Sequence, residues 1–187
     1  MGNLNKAITC FSMLGIKPKL DNFQSKLIMQ KTVYLLQQMG LNMGFDYGFH
    51  IRGTYSPALT ATLYDNRKQV EAGSNGEKLS DKEIKLVEEF KEEMEGLDPA
   101  VLEIAAAYAY FFKEQKMSAH DATIKTKEAK PFFTEMQFVK GINRGKALVF
   151  KPTKEDLAEL KKEMAPWEAA ADEDLVNFEK KHFGKKQ

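Results

Sequence analysis

The stretch "VLEIAAAYAYFFKEQK" at residues 101–116 decides the fold class. Its residues are apolar almost all the way around a helix, a pattern that is typical of a helix buried inside a protein core. Asp98 can cap the start of this helix, and Pro99 falls at the first helical position, where a missing N–H costs nothing. We therefore expect a central helix that is surrounded by other helices.

Amphipathic segments flank this central stretch on both sides. Apolar residues recur at intervals of three and four along most of the chain, which indicates helices with one buried face. Ser80 and Glu83 form a capping box before one of them. Asp21 or Asn22 can cap another, the second helix of the chain. The sequence predicts a mainly α protein, a compact multi-helix domain of about eight helices with a small β element after the second helix.

Pro166 marks the expected division of the chain. A proline inside a helix removes a hydrogen bond and clashes with the preceding turn, so we expect the helix that begins near Thr153 to end at Pro166. The predicted organisation is a single helical domain over residues 1–165 and a C-terminal helix over residues 166–187. That last helix is either docked on the domain or partly detached.

The stretch "DYGFHIRG" at residues 46–53 supplies the β element. Phe49 and Ile51 alternate with polar residues, as in a strand. His50 and Arg52 are two residues apart, so we expect them to project from the same strand face. Together with Tyr55 they would form a polar pocket, contact a phosphate, or make up a solvent-facing strand edge.

A turn and a helix start follow this strand in "RGTYSP" at residues 52–57. Ser56 is a good N-cap and Pro57 suits the first helical position, so a third helix is expected from here to about Val70. A second short strand is expected near Val70 or near Val149.

The composition is typical of a soluble cytoplasmic protein. The 187 residues carry a formal net charge of +1, so no global field draws the chain to nucleic acid or to a membrane. The single cysteine, Cys10, excludes an intramolecular disulfide and suits a reducing compartment. The longest nearly apolar run, residues 101–112, is too short to span a bilayer and contains Glu103.

The short motifs of the common enzyme classes are missing from the sequence. It has no phosphate-binding GxxxxGK[ST] loop, no GxGxxG, no HExxH and no GxSxG. Three His and one Cys are scattered along the chain and do not form a zinc signature. His120 beside Asp121 indicates a helix start. We therefore expect no enzymatic activity, no metal and no cofactor.

An uneven charge distribution keeps nucleic-acid binding open as an alternative. Residues 1–70 carry eight Lys/Arg and three Asp/Glu, so they offer a candidate phosphate-binding face. Their order of helix, helix, strand and helix is compatible with a degenerate winged helix, whose recognition helix would follow Pro57. The expected nucleic-acid contacts are Lys26, Arg52, Arg67 and Lys68.

Two motifs in the first third resemble a known family. "KLIMQKTVYLLQQMG" at residues 26–40 and "GTYSPALTATLYD" at residues 53–65, separated by a short aromatic strand, are similar to the Panacea-type domain of SocA-like and phage-associated proteins. The matching residues are Lys26, Leu27, Gln30, Lys31, Val33, Tyr34, Leu35, Gly53, Tyr55, Ser56, Pro57 and Leu59. The resemblance covers roughly residues 5–150 and departs from the family at Thr54, where the family usually has Pro.

The resemblance implies a protein-binding module without enzymatic activity. Members of this group often act as antitoxins that neutralise a partner protein, or as adaptors, so a toxin or a host factor is the implied partner. We place the predicted binding surface on the corner "HIRGTYSP" at residues 50–57 and on the adjacent basic helix surface, because Arg and Tyr are favoured at interface hot spots. The predicted partner-binding residues are His50, Arg52, Gly53, Tyr55, Ser56 and Lys31.

Overall fold

The computed structural model describes residues 2–73, 77–151 and 154–183. These residues form nine α-helices and a two-stranded antiparallel sheet after the second helix, which confirms the predicted fold class. The strands are β1, Gly48–His50, and β2, Gly53–Tyr55. The helices are α1 Leu4–Met13, α2 Phe23–Met39, α3 Pro57–Asp65, α4 Arg67–Ala72, α5 Asp81–Glu93, α6 Pro99–Ala109, α7 Ala119–Ala129, α8 Glu135–Val149 and α9 Lys154–Phe183.

The chain divides into two compact units, Met1–Phe150 and Lys151–Gln187. The second unit contains α9, which continues through Pro166, so the prediction that Pro166 ends a helix is wrong. An interior proline costs a helix roughly 3 kcal/mol. The Ala, Glu and Lys residues that make up much of α9 are strong helix formers, and their summed propensity offsets that cost.

Helix α6 is the centre of the first unit, as its apolar sequence predicts. All its residues from Val101 to Ala109 are buried, and it packs against α8, α2 and α7. The Asp98 side chain accepts a hydrogen bond from the backbone N–H of Ala100 at 2.8 Å and caps the helix. After α6 the backbone widens into one π-helical turn, Tyr110–Glu114, which the sequence pattern does not indicate.

Two glycines let α8 approach α6 closely. A Cβ atom added at Gly141 would lie 2.5 Å from the Cβ of Ile104, and one added at Gly145 would lie 3.1 Å from the backbone oxygen of Ala105. Carbon atoms that are not bonded do not approach to 2.5 Å, so any side chain at Gly141 would push the two helices apart. The missing side chains are therefore part of the packing of the core.

The two strands form a tight hairpin. Gly48 pairs with Tyr55, and His50 pairs with Gly53, so only Ile51 and Arg52 link the strands. Gly53 has a φ of +84°, in the left-handed region that glycine reaches without a steric penalty. This turn sends the chain straight back along β1, and the second strand therefore follows the first directly.

The expectation of a second strand near Val70 or Val149 is wrong, because Val70 lies in α4 and Val149 ends α8. The third helix is also shorter than predicted, because α3 ends at Asp65 and α4 begins at Arg67. Asn66 between them has non-helical dihedral angles, and its side-chain amide donates to the backbone oxygen of Thr62 at 2.9 Å. Asn readily competes with helical hydrogen bonding in this way.

Candidate functional site

The hairpin, the N-terminal half of α2 and helix α3 enclose an open cleft of about 500 Å³. This volume lies within the range of roughly 300–1,000 Å³ that is usual for ligand-binding sites. The residues that line it are Phe23, Lys26, Leu27, Gln30, Lys31, His50, Ile51, Arg52, Gly53, Tyr55, Thr60 and Tyr64.

The structure brings together five of the six residues that the sequence assigns to partner binding. These five line the cleft: Lys31, His50, Arg52, Gly53 and Tyr55. The sixth, Ser56, is fully buried, and its hydroxyl caps α3 by accepting a hydrogen bond from the backbone N–H of Leu59 at 3.2 Å. Ser56 therefore has a structural role and is not on the surface.

His50 and Arg52 do not share a strand face, which corrects the alternation inferred from the sequence. Strand β1 ends at His50, and Arg52 lies in the two-residue turn. The Arg52 guanidinium lies over the ring of Phe23, with its Cζ atom 4.5 Å from the ring centroid. The His50 ring instead meets the Tyr55 ring edge-on, with the centroids 5.6 Å apart.

Helix α2 holds the end of the hairpin through Gln30. The Gln30 amide donates to the backbone oxygen of Ser56 at 3.0 Å, and its oxygen accepts from the backbone N–H of Ser56 at 3.0 Å. A further hydrogen bond from the amide reaches the Thr60 hydroxyl at 2.9 Å. This buried side chain thus ties the end of β2 and the start of α3 to α2.

The sequence suggests that Lys31 lies on the surface of a helix. The structure shows that it is buried, because only 3% of the residue is exposed. It reaches the base of the cleft, and its ammonium group donates to the backbone oxygen atoms of Arg52, at 3.0 Å, and Thr54. Burial lowers the pKa of Lys31 to about 8; the Glu103 carboxylate acts in the opposite direction, and the Lys130 ammonium lowers the pKa further.

A buried ion pair lies beside Lys31. Lys130 is fully buried, and its Nζ atom is 2.6 Å from Oε1 of Glu103 in α6. A Cβ atom added at Gly53 would lie 3.4 Å from Nζ of Lys130 and 3.6 Å from Nζ of Lys31, so both ammonium groups lie under this glycine. Two cations and one anion give this buried cluster a net positive charge when all three groups are ionised.

The walls of the cleft are apolar and open to solvent. Ile51 is 98% exposed, Phe23 is 51% exposed and Tyr64 is 44% exposed. The alternating pattern places Ile51 with Phe49, but only Phe49 packs inward, against the rings of Tyr110 and Phe111. Exposed apolar side chains that gather in one concave place mark an interaction site.

The charged residues that line the cleft are cations. Three Lys or Arg residues line it, Lys26, Lys31 and Arg52, and none of its lining residues is Asp or Glu. Within the described part of the chain, none of these three cations forms an ion pair. The cleft is therefore electropositive as well as apolar.

The residues expected to contact nucleic acid do not all lie on this surface. Lys26 and Arg52 line the cleft, and Lys68 is exposed on α4 outside it. Arg67 pairs with Asp21 and, at 3.1 Å, with Glu71, and these two carboxylates offset its charge. Of the four predicted residues, two therefore lie in the cleft, while Lys68 and the ion-paired Arg67 lie outside it on α4.

The lowered pKa of Lys31 leads to a prediction about stability. Between pH 8 and the pKa of 10.5 that is usual for lysine, the unfolded chain binds a proton at Lys31 that the folded chain has lost, so stability rises with pH. Between pH 7 and pH 10 the free energy of unfolding of the wild type should rise by about 2 kcal/mol relative to Lys31→Met. Urea unfolding of both proteins at several pH values measures this, and parallel curves would show that Lys31 keeps an ordinary pKa.

Two features, a metal site and a membrane-spanning helix, are absent from the residues that the structure describes. No group of three or more His, Cys, Asp or Glu side chains among them is placed to hold a metal ion. None of the described helices combines the length and the apolar character that a membrane crossing requires.

Comparison of the chain with protein-family models, with curated proteins and with solved structures finds no significant match in any of the three.

Proposed function

We propose that this protein is a non-enzymatic protein-binding module, antitoxin-like or phage-associated, that holds a segment of a partner protein in the cleft. One observation carries the proposal: exposed apolar walls and cations that form no ion pair with the described residues lie together in one concave site. The resemblance of roughly residues 5–150 to the Panacea-type domain supports the antitoxin-like part. The partner would be a toxin or a host factor.

The cleft residues would divide the work of binding. Phe23 and Ile51 are exposed apolar surface that a partner would remove from water, which is the main driving force of association. Arg52 and Tyr55 belong to the residue types that most often carry binding energy at interfaces. Because Gln30 already fixes the hairpin to α2, little conformational entropy would be lost on binding.

We also propose the cytoplasm as the compartment of this protein. Its sequence has a single cysteine, Cys10, which is buried, and burial raises the pKa of its thiol to about 12. The fold therefore does not depend on an oxidising environment.

A paired comparison of variants tests the protein-binding proposal. The double variant Phe23→Ser/Ile51→Ser removes two exposed apolar side chains of the cleft, and Met136→Ser/Val139→Ser removes two that are exposed on α8. We expect tagged wild type from the native host to co-purify with a stoichiometric protein, identified by mass spectrometry. The cleft variant should lose that protein and the α8 variant should retain it.

Three results would contradict this proposal. One is the absence of a stoichiometric partner from the native host. Another is equal recovery of the partner by both double variants. The third is salt-dependent binding of DNA or RNA by the wild type in place of a protein, which would favour the nucleic-acid alternative.

A further inference from the structure

The charges beneath the cleft do not balance. Lys31, Lys130 and Glu103 are each at most 8% exposed, and only one of the three is an acid. Taking a charge out of water is unfavourable unless an opposite charge compensates it. Glu103 compensates Lys130 through their 2.6 Å contact, so the charge of Lys31 is left over. An anion that entered the cleft would supply the missing charge.

Lys31 also has hydrogen-bonding capacity to spare. An ammonium group has three N–H donors, and two of them are taken by the backbone oxygen atoms of Arg52 and Thr54. No third acceptor for Lys31 is found among the described residues. Since Lys31 lines the cleft, a group that binds there would supply an acceptor for the remaining donor.

Arg52 provides a second cation at the mouth of the cleft. Its guanidinium is held over the Phe23 ring and makes no ion pair within the described ranges. An anion bound by Lys31 and Arg52 would have Phe23 and Ile51 as apolar neighbours. The site thus suits an anionic group that is carried by an otherwise apolar segment.

We propose that the cleft holds an Asp or Glu side chain of the partner protein, flanked by apolar residues, whose carboxylate accepts hydrogen bonds from Lys31 and Arg52. This inference rests on the proposed protein-binding function and adds the chemistry of the bound segment. Hydrogen bonds between ionised partners are about twice as strong as neutral ones, so the carboxylate would contribute specificity as well as affinity.

An acidic side chain suits the site better than a chain terminus does. Proteins usually capture a C-terminal carboxylate with a nest of backbone N–H groups. Here the backbone atoms that face Lys31 are the oxygen atoms of Arg52 and Thr54, and the donors to an anion are side chains. The cleft therefore fits an internal Asp or Glu.

A library of random peptides tests this inference. The C-terminus of each peptide is amidated or fused to the carrier, so that no free terminal carboxylate is present. Wild-type protein at pH 7 should select peptides in which an Asp or Glu stands beside aromatic or aliphatic residues. The selected peptides should lose binding to Phe23→Ser/Ile51→Ser and keep it to Met136→Ser/Val139→Ser. Replacing the acid of a selected peptide by its amide, Asp→Asn or Glu→Gln, should weaken binding about tenfold to a hundredfold, as expected for a charge-assisted hydrogen bond.

Substitutions in the protein locate the carboxylate. Lys31→Met should weaken binding of the acidic peptide about tenfold to a hundredfold. This variant should bind the amide peptide no more weakly than the acidic one, because the coupling between Lys31 and the carboxylate is lost. Arg52→Gln changes an exposed residue and should weaken the acidic peptide several-fold even if Lys31→Met proves unstable. Lys68→Gln, also exposed but outside the cleft, is the matched control and should have no effect.

The outcomes separate this inference from the function on which it rests. Peptides that need Phe23 and Ile51 but bind equally well with acid or amide would overturn the carboxylate assignment and leave the protein-binding proposal standing. The carboxylate assignment would also be overturned if Lys31→Met and Arg52→Gln weakened the binding of acid and amide peptides equally. The protein-binding proposal would again stand. Failure to select any peptide that depends on the cleft would overturn both.

Discussion

Replacing Glu103 with Gln should lower the free energy of unfolding by about 3–5 kcal/mol at pH 7. Gln has nearly the shape of Glu, so the packing around α6 would change little. The substitution removes the only acid of the buried cluster and leaves Lys31 and Lys130 without a compensating charge. Chemical denaturation by urea measures the loss. It should be smaller near pH 10, because Lys31, whose pKa is lowered by burial, can then give up its proton.

Lys130→Met is the informative comparison for this prediction. It leaves Glu103 facing Lys31, so the cluster becomes neutral on balance, and the cost should be smaller than that of Glu103→Gln. A cost for Lys130→Met that equals or exceeds that of Glu103→Gln would show that the cluster does not carry an excess positive charge. The basis for an anion site beside Lys31 in the cleft would then be lost.

Gly141→Val should lower the free energy of unfolding by about 3 kcal/mol or more. A Cβ at this position would lie 2.5 Å from the Cβ of Ile104 and 3.3 Å from the backbone oxygen of Val101. Neither α6 nor α8 can yield without opening the core around α6. Thermal and urea unfolding, with circular dichroism to confirm that helices persist, measure the effect.

Asn143→Val is the matched control for Gly141→Val. It introduces the same β-branched residue into the same helix at an exposed position, where the change should stay within about 0.5 kcal/mol. If Gly141→Val were as stable as the control, α8 would not be packed on α6 as closely as the structure shows.

The central helix and the corner after the hairpin could be predicted from the sequence because their signals are local. An apolar run with Asp98 and Pro99 before it specifies a buried, capped helix wherever it occurs. Ser56 and Pro57 specify a helix start for the same reason. The fold class follows from such local signals, and the structure confirms it.

The interior of the candidate site could not be predicted in this way. Lys31 is buried because backbone oxygen atoms of the hairpin accept its hydrogen bonds, and these contacts join positions more than twenty residues apart. Its neighbour Lys130 is distant from it in the sequence and directly precedes Pro131. No pattern in the sequence around Lys130 indicates that this residue is buried. Glu103 was the one available sign, since an acid within an apolar helix needs a partner.

The exposed wall of the cleft was missed for a different reason. Alternation in "DYGFHIRG" assumes a strand that continues through Ile51, but a two-residue turn begins there and turns Ile51 out to solvent. A turn of this kind depends on Gly53 adopting a positive φ, and a glycine alone does not reveal which conformation it takes.

Site-specific photo-crosslinking in the native host tests most directly whether the cleft binds a partner protein. The photoreactive residue p-benzoylphenylalanine would replace Ile51 in one protein and Val139 in the other, both of them exposed apolar positions of the first unit. We predict a discrete covalent adduct with one protein at Ile51 and no such adduct at Val139. An adduct at Val139 alone, equal adducts at both positions, or none at Ile51 would contradict the assignment of the cleft as the binding site.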